Sequence, residues 1–446
     1  MQERTIAAVS TPTGVGGIAV IRISGDKSVE IADKIFRGKN KLSKVNSHTV
    51  HYGHIYDEKG DIDEVLVTVM LAPNTYTRED VVEISTHGGL AASRSVLEAI
   101  IKAGAFPAEP GEFTKRAFLN GRIDLSQAEG VIDIINAKTA LSQKTALSQA
   151  AGSLSREINL VRTQLVTLAA GMQVAIDYPD EDLEDVTPFD ILKTVSECLQ
   201  KVDSLIKTAD SGKILREGIK TAIVGKPNVG KSSLLNCLAR EDRAIVTDIA
   251  GTTRDVIEEF VNLDGIPLRL LDTAGIRETA DTVEKIGVER SKQTIDEADL
   301  IILMLDISRD MEDADHELIA LTEEKRRIII ANKADIKAHN FKDVIEISAK
   351  TGAGIDSLKE QIRKMYRLGE IGQNDSVIVT NMRHLAALTG AKDALLNAKA
   401  AIDQGMPQDI AALDIYDAIN FLGEITGDTV SEDIVSEIFH SFCVGK

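Results

Sequence analysis

The clearest chemistry in the chain lies in the run Gly225-Lys226-Pro227-Asn228-Val229-Gly230-Lys231-Ser232. Two glycines separated by four residues and followed at once by Lys-Ser form a loop that wraps phosphate oxygens with backbone N–H groups. The glycines permit backbone angles that side chains forbid. Lys231 brings a point charge to the outer phosphates, and the Ser232 hydroxyl is placed to hold Mg²⁺. The pattern has meaning only between a strand and a helix. Thr221-Ala222-Ile223-Val224 supplies an apolar strand before it, and Ser233, Leu234, Leu235 and Leu238 supply helical spacing after it. Phosphate oxygens therefore meet a helix N-terminus.

Three more segments follow, each after an apolar strand. Leu268–Leu271 runs into Asp272-Thr273-Ala274-Gly275, where the carboxylate can reach Mg²⁺ through water and the Gly275 amide can meet a γ-phosphate. Arg327–Ala331 runs into Asn332-Lys333-Ala334-Asp335. Asp335 can accept two hydrogen bonds from the N–H edge of guanine, an edge that adenine lacks. Val344–Ile347 leads to Ser348-Ala349-Lys350, whose backbone can contact guanine O6. Between the first two segments, Thr247-Asp248-Ile249-Ala250-Gly251-Thr252-Thr253 is a small polar loop able to order around a γ-phosphate, with Thr253 as the second Mg²⁺ ligand. Asn228, Val229, Gly230, Lys231, Ser232 and Ser233 complete a set that reads as a GTP and GDP site.

One position departs from the Ras-like pattern. Where a glutamine would orient the attacking water, this chain has Ile276, which has no group for that task. The Asn228 amide oxygen could instead hold a monovalent cation beside the phosphates, its shell completed by the carbonyls of Thr247 and Ile249 and the Thr252 hydroxyl. A K⁺ there would do the work of an arginine finger. For the water, Glu278, Asp281 and Glu284 are all within reach by sequence.

The elements that must position these residues fit a multidomain chain. Its 446 residues suffice for about three domains. At 43% hydrophobic and 27% charged, the composition is that of an ordinary soluble protein. The first residues show no signal peptide pattern, no apolar run is long enough for a bilayer, and Cys198, Cys237 and Cys443 lie far apart, which points to a reducing cytoplasm. A net charge of −19 is unfavourable for nucleic acid, so contact with RNA needs a local basic patch or a partner.

Residues 1–118 mix strands and helices, with strands at Thr5–Ser10, Gly17–Ile23, Val65–Leu71 and Asp80–Ile84 and a helix near Leu90–Ala103. Gly14, Gly16 and Gly17 read as a hairpin turn, His87 as a structural hydrogen bonder, and Cys443 as a small buried hydrophobe. Residues 119–214 and 373–446 are helical, and the GTPase domain, 215–372, reads as an insertion between two parts of one helical domain. Leu147, Leu154, Ile158, Val161, Leu165 and Leu168 form one stripe on a long helix. The acidic stretch Asp177–Asp185, broken by Pro179 and Pro188, reads as a loop, and Lys207–Gly218 as the linker into the GTPase domain. Leu385, Leu388, Leu395 and Leu396 mark apolar faces near the end.

With these residues assembled, the chain resembles the TrmE–Era–EngA-type translation-associated GTPases, and among them the tRNA modification GTPases of the MnmE (TrmE) family. The resemblance rests on the phosphate loop, on Gly251-Thr252-Thr253-Arg254-Asp255, on Phe118–Leu125 and on the terminal Cys443-Val444-Gly445-Lys446. It implies an α+β N-terminal domain that dimerises and binds a tetrahydrofolate one-carbon derivative (5-formyl or 5,10-methylene) through Arg22, Glu83, Arg122 and Lys446. Arg122 stands where some members have Lys, so charge is kept while the geometry differs. The family's K⁺ ligands fall on Asn228, Thr247, Ile249 and Thr252, its Mg²⁺ ligands on Ser232 and Thr253, and its water-orienting catalytic acid on Glu284. The implied partner is the flavoprotein MnmG, in a heterotetramer that carries FAD, uses NADH and adds an aminomethyl or carboxymethylaminomethyl group to the wobble uridine of certain tRNAs.

Overall fold

The computed structural model describes residues 4–12, 14–177, 187–241, 259–271, 293–336, 339–366 and 377–446. The first layer is a sheet. Strands β1 (Ile6–Val9) and β2 (Ile18–Ser24) pair antiparallel, as the turn at Gly14–Gly17 requires. Helix α1 (Ser28–Ile35), β3 (Phe36–Gly38), β4 (Thr49–Asp57), β5 (Gly60–Met70), β6 (Val81–His87), α2 (Leu90–Lys102), β7 (Phe106–Pro107) and α3 (Glu112–Leu119) follow, with strand order β3-β4-β5-β6-β2-β1-β7. Period-two alternation sets the faces. Val65, Val67 and Val69 are buried in one core with Ile31 and Ile35 of α1 and Val96 and Ile100 of α2, while Leu66 between them is exposed. β3, β4 and β7 are additions to the strands that alternation had marked.

The helical layer begins with α4 (Leu125–Asn136), α5 (Ala140–Ala150), α6 (Ser153–Asp177), α7 (Pro188–Ile206) and α8 (Ala209–Glu217). The single apolar stripe divides here. Leu147 lies on α5 and is exposed, whereas Leu154, Ile158, Val161, Leu165 and Leu168 are buried along α6. Gly152, at φ 80°, breaks the run between them. Pro188 opens α7 at its first turn, capped by Thr187, so it starts a helix and does not sit in the loop. Residues 178–186 fall outside the described residues. The expected linker at Lys207–Gly218 is largely helix α8.

Next come β8 (Ile219–Val224), α9 (Lys231–Glu241), β9 (Glu259–Leu263), β10 (Ile266–Leu270), β11 (Leu300–Asp306), α10 (Asp313–Leu321), β12 (Arg327–Asn332), β13 (Ile345–Glu346) and α11 (Ile355–Met365). Their order is β13-β12-β11-β8-β10-β9, parallel except for the β9–β10 hairpin. β11 is buried along its whole length, as a central parallel strand must be. This is the doubly wound order of Ras-like nucleotide folds, with the ligand edge at the strand C-termini.

The chain then closes with α12 (Met382–Asp403), α13 (Gln408–Thr426) and α14 (Glu432–His440). One hydrophobic core joins α6 and α7 to α12 and α13. Leu388 and Leu395 sit in it and Leu385 packs against it, but Leu396 is exposed.

The chain leaves the helical layer through α8 and returns at Val379, and the two crossings touch. Gly212 faces the Val379 carbonyl so closely that a Cβ would collide, and Val379 N–H donates to Thr208 Oγ1 at 3.0 Å. Beside them, buried Glu129 of α4 accepts from Asn381 Nδ2 at 2.8 Å, Arg383 Nε at 3.0 Å and Nη2 at 2.8 Å, and lies 2.6 Å from Nε2 of fully buried His384. Burial alone would raise the Glu129 carboxyl, but His384 and then Arg383 hold it down at about 2, against an ordinary 4.5. A depressed folded-state value means stability that is complete above about pH 4.5 and lost as the pH falls toward 2. The contribution is about 3 kcal/mol. Glu129→Ala is expected to lower the unfolding free energy by about 3–5 kcal/mol at neutral pH, and the gap between variant and wild type should narrow in denaturant titrations below pH 4.5. An unchanged gap across that window would assign the loss to packing.

Candidate functional site

β8 delivers the phosphate loop to the sheet edge. A Cβ at Gly225 would lie 2.5 Å from the Met304 carbonyl of β11, so there is no room for a side chain. Asn228 holds φ 64°, a left-handed angle that asparagine accepts more readily than most residues. At Gly230, φ 104°, a Cβ would collide with Asn332 Nδ2. That amide nitrogen donates to the Val229 carbonyl at 2.8 Å, and Asn332 Oδ1 accepts from the Ala349 N–H at 2.9 Å. One buried side chain thus ties together the phosphate loop, the Asn332–Asp335 segment and the Ser348–Lys350 segment.

The charges are arranged for an anion on one side and a base on the other. Lys231 Nζ donates to the carbonyls of Gly225 at 2.6 Å and Lys226 at 2.9 Å, and burial lowers its pKa. Among the described residues it has no carboxylate partner. Ser232 and Ser233 stand exposed on the first turn of α9. Asp335 accepts from Ser348 Oγ at 2.7 Å, a bond that holds its carboxyl below the usual range. It is therefore ionised and aimed before any base arrives. Lys333, at φ 70°, donates to Asp306 Oδ2 at 2.6 Å, and Asp306 also accepts from the Ser308 N–H and hydroxyl. Lys350 is exposed beside this group. Thr247, Asp248, Ile249, Ala250, Gly251, Thr252, Thr253, Asp272, Thr273, Ala274, Gly275 and Glu284 lie outside the described residues.

Sequence spacing gave no sign of two supports. Lys226, inside the phosphate loop, pairs with Glu312 and with Asp315 at 3.5 Å at the start of α10. Asp306 at the end of β11 fixes Lys333. Both partners are distant in sequence and are joined only by the strand order.

A second cluster of the expected residues lies on the N-terminal sheet. Arg22 of β2 faces Glu83 of β6 across the register and bonds it at 2.8 and 2.7 Å. The Arg22 guanidinium also lies over the rings of Tyr76 at 5.4 Å and Phe113 at 5.6 Å. Arg122 stacks on the same Tyr76 ring at 4.7 Å. The structure so brings together three of the four residues Arg22, Glu83, Arg122 and Lys446. The backbone that precedes Lys446 docks beside β1. Gly445 packs against Val9 and Ser10, the Ser10 hydroxyl donates to its carbonyl at 3.0 Å, and Val444 bridges to Pro110. Val9 is next to Ala8, the register partner of Arg22. Cys443, expected to be buried, is exposed, because its neighbour Phe442 takes the buried position in the cluster with Phe439. His87 pairs with Asp63 at 2.6 Å, a bond that raises its pKa. Tyr76 was missed. The signal available was an aromatic inside the polar loop Asn74–Arg78, where function concentrates.

The family model for the GTP-binding protein TrmE N-terminus matches residues 5–122, and that for the MnmE helical domain matches residues 125–443. The chain belongs to the MnmE family of tRNA modification GTPases. The MnmE of Acetivibrio thermocellus is 50% identical over 457 residues, covering 100% of both chains. That of Lactococcus lactis is 49% identical over 448 residues, covering 99% of this chain and 98% of that one. Among solved structures, the Era protein of Aquifex aeolicus with GDP and AlF₄⁻ overlaps 40% of this chain and 67% of its own, at 30% identity and a TM-score of 0.27, an overlap too partial to bear on the assignment. As an MnmE-family member the protein is a GTP hydrolase.

Asp335→Asn replaces an acceptor pair with one acceptor and one donor. GTP affinity should fall by about 100-fold, the worth of two charge-assisted bonds to the base, while xanthosine triphosphate, which has a carbonyl in place of the 2-amino group, should gain. Nucleotide titrations with fluorescent analogues would read both arms.

Proposed function

We propose that this protein is a K⁺-stimulated GTPase that works with the flavoprotein MnmG, as a homodimer within a heterotetramer in the cytoplasm. Together they add an aminomethyl or carboxymethylaminomethyl group to C5 of the wobble uridine of certain tRNAs, with a tetrahydrofolate derivative as one-carbon donor. The observation that carries the reading is the pairing, in one chain, of a guanine-type nucleotide edge with an arginine–aromatic pocket beside the chain's own C-terminus. We divide the chain into 1–118 for folate and dimer contacts, 119–214 and 373–446 for the helical body, and 215–372 for the GTPase. The separate cores of the two sheets and the joint core of the helices support that division.

The residues present suit the groups they would hold. Lys231 is a desolvated cation bonded only to carbonyls among the described residues, so a phosphate oxygen would replace weak acceptors with a charged one. Ser232 and Thr253 would hold Mg²⁺, which would supply charge neutralisation at the phosphate end. For K⁺ the fit rests on Asn228, whose left-handed backbone puts an amide on the loop that carries the phosphates; Thr247, Ile249 and Thr252 would complete the shell. Asn332 and Asp335 orient the base, Lys231 holds the phosphate end, and Glu284 positions the water. In this scheme hydrolysis is a switch that opens and closes paired GTPase domains, and the helical body carries the motion to the modification site. FAD and NADH stay on the partner.

GTP turnover is expected to be at least several-fold faster in K⁺ than in Na⁺ at equal ionic strength. Equal rates would remove Asn228 from cation binding. The wider function is tested by mass spectrometry of wobble nucleosides from cells with and without the gene. An unchanged nucleoside profile would overturn it.

A further inference from the structure

Tyr76 divides two kinds of charge. On its inner side Arg22 is neutralised by Glu83, and both side chains are largely buried, at 16% and 27% exposure. Toward solvent, Arg122 stacks on the same ring and has no carboxylate partner among the described residues. Beside it stands Arg78, whose Nη1 donates to the Asn120 carbonyl at 2.8 Å and which also lacks a carboxylate partner. Asn120 Nδ2 returns a bond to the Thr77 carbonyl at 2.7 Å, so the two arginine-bearing loops are fastened to one another. Nearby acids are already committed. Glu79 is bound by Arg116 through two 3.0 Å contacts, and Asp80 caps the Ala72 N–H at 2.9 Å. Arg78 and Arg122 line the mouth of an open cavity of about 480 Å³ with Met70, Pro73 and Tyr76.

A ligand that suits this gradient has a polar heterocyclic head, an aromatic or apolar middle and an anionic tail. We infer that Arg78 and Arg122 form a tail subsite that selects polyglutamylated over monoglutamylated one-carbon folates. The inference rests on the folate reading above and deepens it. Each added γ-linked glutamate brings one more carboxylate past the mouth, where two uncompensated guanidinium groups can take it bidentately. Glutamate carboxylates are favoured over nucleic-acid phosphates because the pair borders a cavity with an aromatic wall, and the chain as a whole carries −19.

The test is calorimetric titration of the full-length protein with the mono- and triglutamate forms of 5-formyltetrahydrofolate, at about 50 and 300 mM salt, a range over which exposed charges become screened. The triglutamate should bind about tenfold tighter at low salt, with a smaller gain at high salt. In Arg78→Gln the gain should fall to about threefold or less, and Arg78→Lys should restore part of it. Equal affinity for the two forms in wild type, or a full gain kept by Arg78→Gln, would overturn the subsite while leaving folate binding intact. No binding of either form would overturn the folate reading itself and the subsite with it. Loss of tRNA retention in Arg78→Gln with the chain-length gain unchanged would reassign the pair to phosphate.

Discussion

The contact between Gly212 and Val379 is the constraint on which the rest depends. It brings the exit and the return of a 219–366 nucleotide fold to one place on the helical layer. Any residue larger than glycine at 212 would push the two crossings apart. The Glu129 cluster then fastens that place to α4, while Arg383 reaches the last turn of α13 through the Glu424 and Ile425 carbonyls. Removing water from four polar groups is costly unless every one finds a partner. Here Glu129 receives from Asn381, Arg383 and His384 together, while the buried His384 Nδ1 is left without a partner among the described residues.

The same logic runs the nucleotide edge. The side chains along this edge are each held by a neighbour: Asn332 by the Val229 carbonyl and the Ala349 N–H, Asp335 by Ser348, Lys333 by Asp306, and Lys226 by Glu312 and Asp315. Orientation is fixed in advance, so less side-chain freedom remains to be lost on binding. The Tyr76 wall is built in the same way, its hydroxyl sharing a 2.9 Å bond with Thr114.

Local patterns carried much of this. The phosphate loop, the Asn332–Asp335 turn and most strands were legible because each depends on residues adjacent in sequence. The helices of residues 125–206 were legible as apolar periodicity, but the break at Gly152 was hidden because Leu147 happens to fall in phase with the α6 stripe. α8 was hidden because Asp210, Gly212 and Gly218 look like loop residues; Gly212 is there for a tertiary contact that spacing cannot report. Leu396 and Cys443 were misplaced for a related reason: hydrophobic type says a residue is able to be buried, and the neighbours decide whether it is. Tyr76, Asp306 and Glu312 needed the sheet order before their roles had meaning.

Residues 444 and 445 are bonded to two early segments, Gly445 to Ser10 just after β1 and Val444 to Pro110 just after β7. The Ser10–Gly445 bond spans 435 positions of sequence, so the wall beside Arg22 rests on a non-local closure whose loop entropy must be met before the contact is gained.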